Sequence, residues 1–167
     1  MTSRYRPGLA TLSERRASKS ADAIALIYLG TELTYREVHN RVLVRVDEMA
    51  LAGVRRGDRV AYLGPNHPAL IETMLATVRM GAVFLPLNHR LSAPELEYQL
   101  GDADVVLLVA DPALAATADE LRGVTAVEYL RWSPEQAVPP ADPVSAADVG
   151  GDDPAFVLYT SGTTGRP

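Results

Sequence analysis

Short unbroken runs of hydrophobic residues alternate along the chain with longer stretches in which hydrophobic residues recur every three or four positions. The unbroken runs predict β-strands, and the longer stretches predict amphipathic α-helices. Strands are predicted at residues 23–28, 32–34, 59–63, 82–85, 105–109, 125–130 and 155–159. Helices are predicted at residues 8–19, 34–53, 66–81 and 112–121, with one more beginning at residue 92. This alternation predicts an α/β fold with a parallel or mixed sheet covered by helices.

The helix at residues 34–53 carries the clearest start signal. Thr34 is a favourable N-cap residue, and Glu37 three positions later completes a capping-box pattern. Gly53 is expected to end the helix. Just upstream, Gly30 and Thr31 predict a hairpin turn between the first two strands. The helix is expected to bury one stripe of hydrophobic residues: Val38, Val42, Val46 and Met49.

The next helix is expected to begin with Asn66 as its N-cap and Pro68 in its first turn. Gly81 stands where a left-handed C-terminal cap is needed. The strand that follows is expected to stop at Pro86, because proline cannot donate to a sheet. The predicted buried stripe of this helix consists of Leu70, Ile71, Met74, Leu75 and Val78.

A second capping box, Ser92 with Glu95, predicts a helix that buries Leu96 and Leu100. The aliphatic run 105–109 is typical of a strand buried on both faces. Residues 133–153 differ from the rest, since they are rich in proline, alanine and acidic residues and show little periodicity. They predict an extended surface connection.

Composition excludes several kinds of function. The chain has 167 residues, no cysteine, 16 basic and 21 acidic residues, so disulfides and thiolate sites are absent and the net charge is −5. An acidic chain does not favour nucleic acid or anionic membranes as partners. Its longest apolar run, residues 105–110, is far shorter than the roughly 20 residues of a membrane span. Without a targeting pattern, a cytoplasmic location is the expectation.

Candidate chemistry lies where the last predicted strand leads into residues 160–167, TSGTTGRP. Backbone N–H groups and hydroxyls in such a turn can bind phosphate without a fixed positive charge. A plain Ser/Thr/Gly loop is the alternative on composition alone. Gly162 and Gly165 are too close together for a Walker A loop, and no Gly-x-Gly-x-x-Gly follows any predicted strand.

Residues 159–167, YTSGTTGRP, resemble the phosphate-binding signature of the acyl-adenylate-forming superfamily. This superfamily contains acyl-CoA synthetases, peptide-synthetase adenylation domains and luciferases. Residues 33–38, LTYREV, are similar to its early LTYxEL block, and residues 78–88, VRMGAVFLPLN, are similar to the block that ends in Pro-Leu-Asn. Residues 57–61, GDRVA, are also typical of the superfamily. These segments follow one another in the family's order from about residue 8 to residue 167.

The resemblance implies an acid–thiol ligase that activates a carboxylic acid as its acyl-adenylate with ATP and Mg²⁺ and transfers the acyl group to coenzyme A. The implied fold is the N-terminal portion of the large domain of an acyl-CoA synthetase. No catalytic residue or metal ligand of the family falls within these 167 residues. The matched loop is expected to close over the β- and γ-phosphates of ATP through six residues: Thr160, Ser161, Gly162, Thr163, Thr164 and Gly165.

Residues 88–91, NHRL, look like the LNxRL segment of acyl-CoA synthetases that act on fatty or related organic acids. Amino-acid or aryl-acid adenylation modules are the alternative branch. A non-catalytic module that binds a nucleotide or a protein partner remains a further alternative. His89 lies inside this segment, whereas His39 and His67 are expected to be capping or surface residues.

The family signature continues with a lysine after the Arg-Pro pair, whereas this sequence stops at Pro167. Residues 1–167 are therefore expected to be a partial N-terminal AMP-binding domain, truncated within the phosphate-binding loop and without the C-terminal domain. Lys19, the only lysine, matches neither functional lysine of the family. The fragment is expected to be inactive alone and to self-associate through an unpaired sheet edge and an uncovered apolar face.

Overall fold

The computed structural model describes residues 8–130, 132, 137–150 and 152–160. Its strands are β1 (Ile24–Tyr28), β2 (Thr31–Thr34), β3 (Arg59–Leu63), β4 (Val83–Leu87), β5 (Val105–Ala110) and β6 (Ala126–Tyr129). Its α-helices are α1 (Leu12–Ser20), α2 (Tyr35–Leu51), α3 (Pro68–Arg79), α4 (Ala93–Asp102) and α5 (Ala115–Glu120). Short 3₁₀ turns occupy Leu9–Thr11, Pro112–Leu114 and Leu121–Gly123.

The predicted parallel sheet is confirmed. Four strands pair in the order β4-β3-β5-β6, and all of their pairings are parallel. Strands β1 and β2 form a separate antiparallel hairpin. Helices connect the parallel strands because a parallel partner can be reached only by a crossover.

Helices cover both faces of the parallel sheet. Val60 and Tyr62 of β3 point into the layer filled by α2 and α3, and they are fully buried there. Ala61 and Leu63 point into the opposite layer, filled by α4 and α5. Alternate residues of a strand face opposite sides, so a strand covered on both sides must be apolar throughout. β3 therefore occupies the centre of the fold.

Both capping boxes form. The Thr34 backbone N–H donates to Glu37 Oε2 at 2.7 Å, and the Glu37 N–H donates to Thr34 Oγ1 at 3.3 Å. The bond from the Thr34 N–H lowers the pKa of Glu37 below its usual value. At the start of α4, the Ser92 N–H donates to Glu95 Oε2 at 2.8 Å. The predicted hydrophobic stripe of α2 is also confirmed, since all four of its residues are buried.

The prediction that Asn66 caps α3 is wrong, because the cap is His67. His67 has extended backbone angles, and its Nδ1 accepts the Ala69 N–H at 3.1 Å. Asn66 is exposed one residue further out. Pro68 lies in the first turn as predicted, and Gly81 adopts the expected left-handed conformation with a φ of +70°.

The predicted buried stripe of α3 is confirmed only in part. Leu75 and Val78 are buried, whereas Leu70, Ile71 and Met74 are partly exposed. The helix contacts the sheet, α2 and the turn Leu9–Thr11, so burial extends around it and includes polar positions. The buried polar residues of α3 are Glu72, Thr73, Thr77 and Arg79.

The prediction that this strand stops at Pro86 is wrong, because β4 continues to Leu87. β4 lies at the edge of the sheet. The Val83 N–H points toward β3 and donates to the Asp58 carbonyl. Phe84 forms its hydrogen bonds on the outer side, away from β3, with residues 155 and 157. Alternate residues of a parallel strand bond on opposite sides, so residue 86 faces outward like residue 84. The missing N–H of Pro86 therefore costs the β3–β4 pairing nothing.

Two further strand predictions need correction. The prediction that residues 105–109 are buried on both faces fails at Val106, which is 41% exposed. Val106 has no partner in β3, because the β3–β5 register shifts there. Residues 155–159 form no strand and make only an isolated parallel bridge between Phe156 and Phe84. The pairing would continue with a hydrogen bond from the N–H of residue 86 to the Val157 carbonyl. Residue 86 is proline and has no N–H, so the pairing stops there.

The connection at residues 133–153 contains no helix or strand in its described parts, 137–150 and 152–153, as predicted. Among the described residues, no helix is both long enough and apolar enough to cross a membrane.

A buried charged group joins α2, α3 and the residues that follow β6. Glu72 is 2% exposed, and its Oε1 accepts the Trp132 indole N–H at 3.0 Å. The Arg41 guanidinium lies 3.9 Å from the same oxygen and over the Trp132 ring. Burial raises the pKa of Glu72, while Trp132 and Arg41 oppose that shift.

Replacing Glu72 should therefore reveal the cost of leaving a buried donor without its acceptor. Glu72→Ala is expected to lower the free energy of unfolding by about 2–3 kcal/mol. Glu72→Gln keeps an oxygen that can accept from Trp132, and it should lose clearly less. Urea unfolding followed by Trp132 fluorescence measures both variants. Equal losses would show that the indole hydrogen bond does not contribute.

Candidate functional site

The parallel strands place their carboxyl ends at one edge of the sheet, hereafter the carboxyl edge. The segments after β3 and β5 meet there, where the Asp111 N–H donates to the Leu63 carbonyl at 2.8 Å. The Leu130 N–H in turn donates to the Ala110 carbonyl at 2.9 Å, which brings the segment after β6 to the same edge. Ligands of open α/β sheets bind outside the carboxyl ends of the strands. The carboxyl edge is therefore the candidate functional region.

The segment that leads to the predicted loop lies along the outer side of β4. The Phe84 N–H donates to the Ala155 carbonyl at 2.9 Å, and the Val157 N–H donates to the Phe84 carbonyl at 3.0 Å. The rings of Phe84 and Phe156 meet edge to face, 6.2 Å between centroids. Because this pairing is parallel, residues 155–157 run in the direction of the carboxyl edge.

Tyr159 fastens the end of this segment to α4. Its hydroxyl donates to Asp102 Oδ2 at 2.5 Å and lies 3.3 Å from the Gln99 carbonyl oxygen. Burial and the hydrogen bond to Asp102 raise the pKa of the Tyr159 phenol above its usual value. The phenol is therefore protonated, and able to donate, throughout the neutral range.

Of the six residues predicted to bind phosphate, Thr160 is described, and it is exposed directly after Tyr159. The other five predicted residues lie outside the described part of the chain: Ser161, Gly162, Thr163, Thr164 and Gly165. Their role in phosphate binding stays a prediction.

The segment 88–91, which carries the branch-specific pattern, forms a tight turn between β4 and α4. Asn88 Oδ1 accepts the Arg90 N–H at 3.1 Å, and the Asn88 carbonyl accepts the Leu91 N–H at 3.0 Å. Leu91 packs into the layer under α4, whereas Asn88, His89 and Arg90 are exposed. Three polar side chains are thus presented to solvent immediately beyond the end of β4.

Three aromatic rings form a second feature at the carboxyl edge. The His67 ring meets Tyr28 and Trp132 edge to face, with centroids 4.7 and 4.6 Å away. This contact joins the β1–β2 hairpin to the start of α3. Burial lowers the pKa of His67, the nearby Arg41 lowers it further, and Asp111 opposes the shift.

His67 caps α3, which is one of the two roles expected of it, whereas the prediction for His39 is wrong, because His39 lies inside α2 and is partly buried. His39 Nδ1 lies 3.1 Å from Ser13 Oγ, which joins α2 to α1. Among the described residues, no group of three or more His, Asp or Glu side chains could hold a metal ion.

Sequence reasoning missed two side-chain contacts near this region, Glu72 with Trp132 and Tyr159 with Asp102. The members of these pairs are 60 and 57 residues apart, so no local pattern connects them. Asp102 does carry a weak local signal. A carboxylate in the last turn of a helix is unfavourable beside the carbonyl ends, so its presence suggests a donor partner from elsewhere.

Comparison with known proteins gives a consistent result. The AMP-binding enzyme family matches residues 13–167. The chain is 45% identical to a feruloyl-CoA synthase of Amycolatopsis sp., over 96% of this chain and 32% of that protein. It is 32% identical to a medium/long-chain-fatty-acid–CoA ligase of Mycobacterium tuberculosis, over 95% of this chain and 28% of that protein. The chain thus spans about a third of the length of these curated relatives.

Among solved structures, o-succinylbenzoate coenzyme A synthetase from Bacillus subtilis in complex with AMP superimposes with a TM-score of 0.80. The two chains are 26% identical, and the match covers 97% of this chain and 41% of the other. The α/β fold of this chain is thus that of the N-terminal region of an acid–CoA ligase structure.

The lowered pKa of His67 predicts a pH dependence of stability. The unfolded chain binds a proton at His67 more readily than the folded chain does, so stability falls as pH drops from about 7.5 through the ordinary histidine range. His67→Asn keeps a capping side chain without this titration. The stability difference between wild type and His67→Asn should therefore shrink as pH falls from 7.5 to 5.5.

Urea unfolding at several pH values gives this difference, and His89→Asn, at an exposed histidine in the turn after β4, is the control. Because both proteins retain Glu72, its own titration cancels in the comparison. A difference that is constant or grows toward low pH would contradict the assignment.

Proposed function

Because the chain belongs to the AMP-binding enzyme family, we propose that it is the N-terminal part of a ligase that joins a carboxylic acid to coenzyme A, with ATP cleaved to AMP and pyrophosphate. The observation that carries the proposal is the family match over residues 13–167, which ends in the Gly- and hydroxyl-rich segment. The relatives of this chain include a feruloyl-CoA synthase and a fatty-acid–CoA ligase.

In the proposed reaction, a carboxylate oxygen of the acid attacks the α-phosphorus of ATP, and pyrophosphate leaves. The thiol of coenzyme A then attacks the carbonyl carbon of the acyl-adenylate, and AMP leaves. Backbone N–H groups and hydroxyls of residues 160–165 would bind the β- and γ-phosphates and stabilise the charge that develops on them. Mg²⁺ accompanies ATP in this proposal and shares that neutralisation, with ligands from outside the described residues.

The substrate we favour is an aromatic acid of the kind that forms a feruloyl thioester. Its support is the 45% identity to a feruloyl-CoA synthase, against 32% to a fatty-acid–CoA ligase. A fatty acid is the second candidate, because residues 88–91 match the pattern expected for that branch. Both acids would be activated by the same two steps.

The described residues supply the scaffold of the proposed enzyme. The sheet and α4 hold the segment that leads into the phosphate-binding loop, whereas the acid pocket and the catalytic lysine are expected from outside these 167 residues. A cytoplasmic location belongs to the proposal, since ATP and coenzyme A are both available there.

Self-association of the isolated chain is also part of the proposal. The β1–β2 hairpin exposes Ile27 at 67% and Leu29 at 88%, and the end of α2 exposes Leu51 at 83%. Exposed apolar residues of this size favour association with another protein surface. Light scattering of the isolated chain would show a dimer or a larger species, whereas a monomer at every concentration would contradict this.

The activity is tested by acid-dependent ATP–pyrophosphate exchange with the full-length protein that contains this chain. Ferulate and a series of fatty acids serve as substrates, and ferulate is expected to give the highest kcat/KM. The isolated 167 residues are expected to give none. No exchange by the full-length protein with any acid would overturn the proposal.

The loop is tested by Thr163→Val, which removes one hydroxyl without changing the size of the side chain. Loss of a donor to the phosphates should lower kcat/KM for ATP by about ten- to a hundredfold. Thr117→Val in α5 is the matched control and should leave the exchange rate unchanged. If both variants behave alike, the loop does not bind the phosphates.

A further inference from the structure

Backbone pairing holds the start of the segment 155–160 but not its end. Among the described residues of this segment, pairing with the sheet is confined to residues 155 and 157, which bond Phe84. The next backbone donor on the outer side of β4 would belong to Pro86, which has none. Residues 158–160 therefore need another attachment if the following loop is to start from a fixed point.

The Tyr159 side chain provides that attachment. Its hydroxyl bonds Asp102 Oδ2 at 2.5 Å and approaches the Gln99 carbonyl at 3.3 Å, so it contacts the last turn of α4 through two oxygens. The ring packs against the hydrophobic layer under α4 together with Val157. Leu158, between them, is 69% exposed.

Helix α4 is a rigid support for this contact. Its first turn is closed by the Ser92–Glu95 capping box, and Leu96 and Leu100 are completely buried against the sheet. At its other end, the Arg59 side chain donates to the Ala103 carbonyl at 2.6 Å. A helix fixed at both ends can restrict whatever is bonded to it.

We propose that Tyr159 is a positioning residue, which holds the first residue of the phosphate-binding loop in place through its hydrogen bond to Asp102. The inference rests on the proposed function, because that function assigns ATP phosphate binding to the loop. Tyr159 does not touch ATP in this proposal. It fixes the chain at residue 159 before the nucleotide binds.

The expected effect is on ATP affinity rather than on chemistry. A loop that is held at its starting point loses less conformational freedom when it closes over a ligand, so the ligand binds more tightly. Loss of the hold should raise the KM for ATP. It should leave the KM for the acid unchanged, since the loop binds the phosphates and not the acid in this proposal.

Asp102 is the matching half of the pair. A carboxylate in the last turn of a helix lies beside the negative end of the helix dipole, which disfavours it. A hydrogen bond from a phenol to a charged oxygen offsets this and is stronger than one to a neutral acceptor. Both residues should therefore matter through one shared contact.

Tyr129 provides a control of the same chemistry elsewhere. Its hydroxyl donates to Asp119 Oδ1 at 2.7 Å, which joins β6 to α5. β6 is the strand farthest from β4 in the sheet, and Tyr129 does not lead into the loop. Tyr129→Phe therefore removes an equivalent hydrogen bond without touching the proposed anchor.

The kinetic test uses ATP–pyrophosphate exchange by the full-length ligase. Tyr159→Phe is expected to raise the KM for ATP about five- to tenfold, within the range of a typical single hydrogen bond. Asp102→Asn keeps an oxygen acceptor and should have a smaller effect. Asp102→Ala combined with Tyr159→Phe should be no worse than Tyr159→Phe alone. Tyr129→Phe should match wild type.

An unchanged KM for ATP in Tyr159→Phe would overturn the inference. So would a KM for the acid that rises as much as the KM for ATP, or additive effects of the two substitutions. Melting temperatures of all variants show whether any of them has simply lost its fold.

A second measurement separates this inference from the proposed function. Amide hydrogen exchange over residues 155–160 can be followed in the 167-residue chain without any substrate. Tyr159→Phe should speed exchange there at least about fivefold, while Tyr129→Phe should not. If the full-length protein shows no ATP–pyrophosphate exchange but the amide hydrogens of this segment respond as expected, the proposed function is wrong and the role of Tyr159 as an anchor stands. If the segment does not respond, the anchor fails whatever the activity.

Discussion

Burial of β3 on both faces is the constraint on which the rest of the fold depends. Val60 and Tyr62 need the layer of α2 and α3, and Ala61 and Leu63 need the layer of α4 and α5. Both edges of such a strand must also be paired, and β4 and β5 pair with it in parallel. Parallel partners require crossover helices, which places α3 and α4 and brings the carboxyl ends of all four strands to one edge.

Features that depend on neighbours in sequence could be predicted. The Thr34–Glu37 capping box and the buried stripe of α2 follow from residues three or four positions apart. The cap of α3 could not be chosen in this way, because Asn66 and His67 are adjacent and both can cap a helix. Contacts with Tyr28 and Trp132, from distant parts of the chain, accompany the choice of His67.

The candidate site also combines features that depend on sequence neighbours with features that depend on distant contacts. The nine-residue signature is a local pattern, so its role in phosphate binding can be predicted from its resemblance to the family signature. What holds the segment in front of it is not local, because Tyr159 and Asp102 are 57 residues apart and meet only when α4 packs on the sheet. Pro86 shows the same limit. Whether proline ends a strand depends on which side of the sheet it faces, and that requires knowing that β4 lies at the edge.

The outward-facing proline of β4 also bears on what the sheet can join. An open edge strand offers unpaired N–H and C=O groups to any other strand, which is a common start of aggregation. Here residues 155–157 occupy the part of the edge around Phe84, and Pro86 removes the donor that follows. On its outer side, β4 therefore offers a foreign strand no free backbone donor at residue 84 or 86.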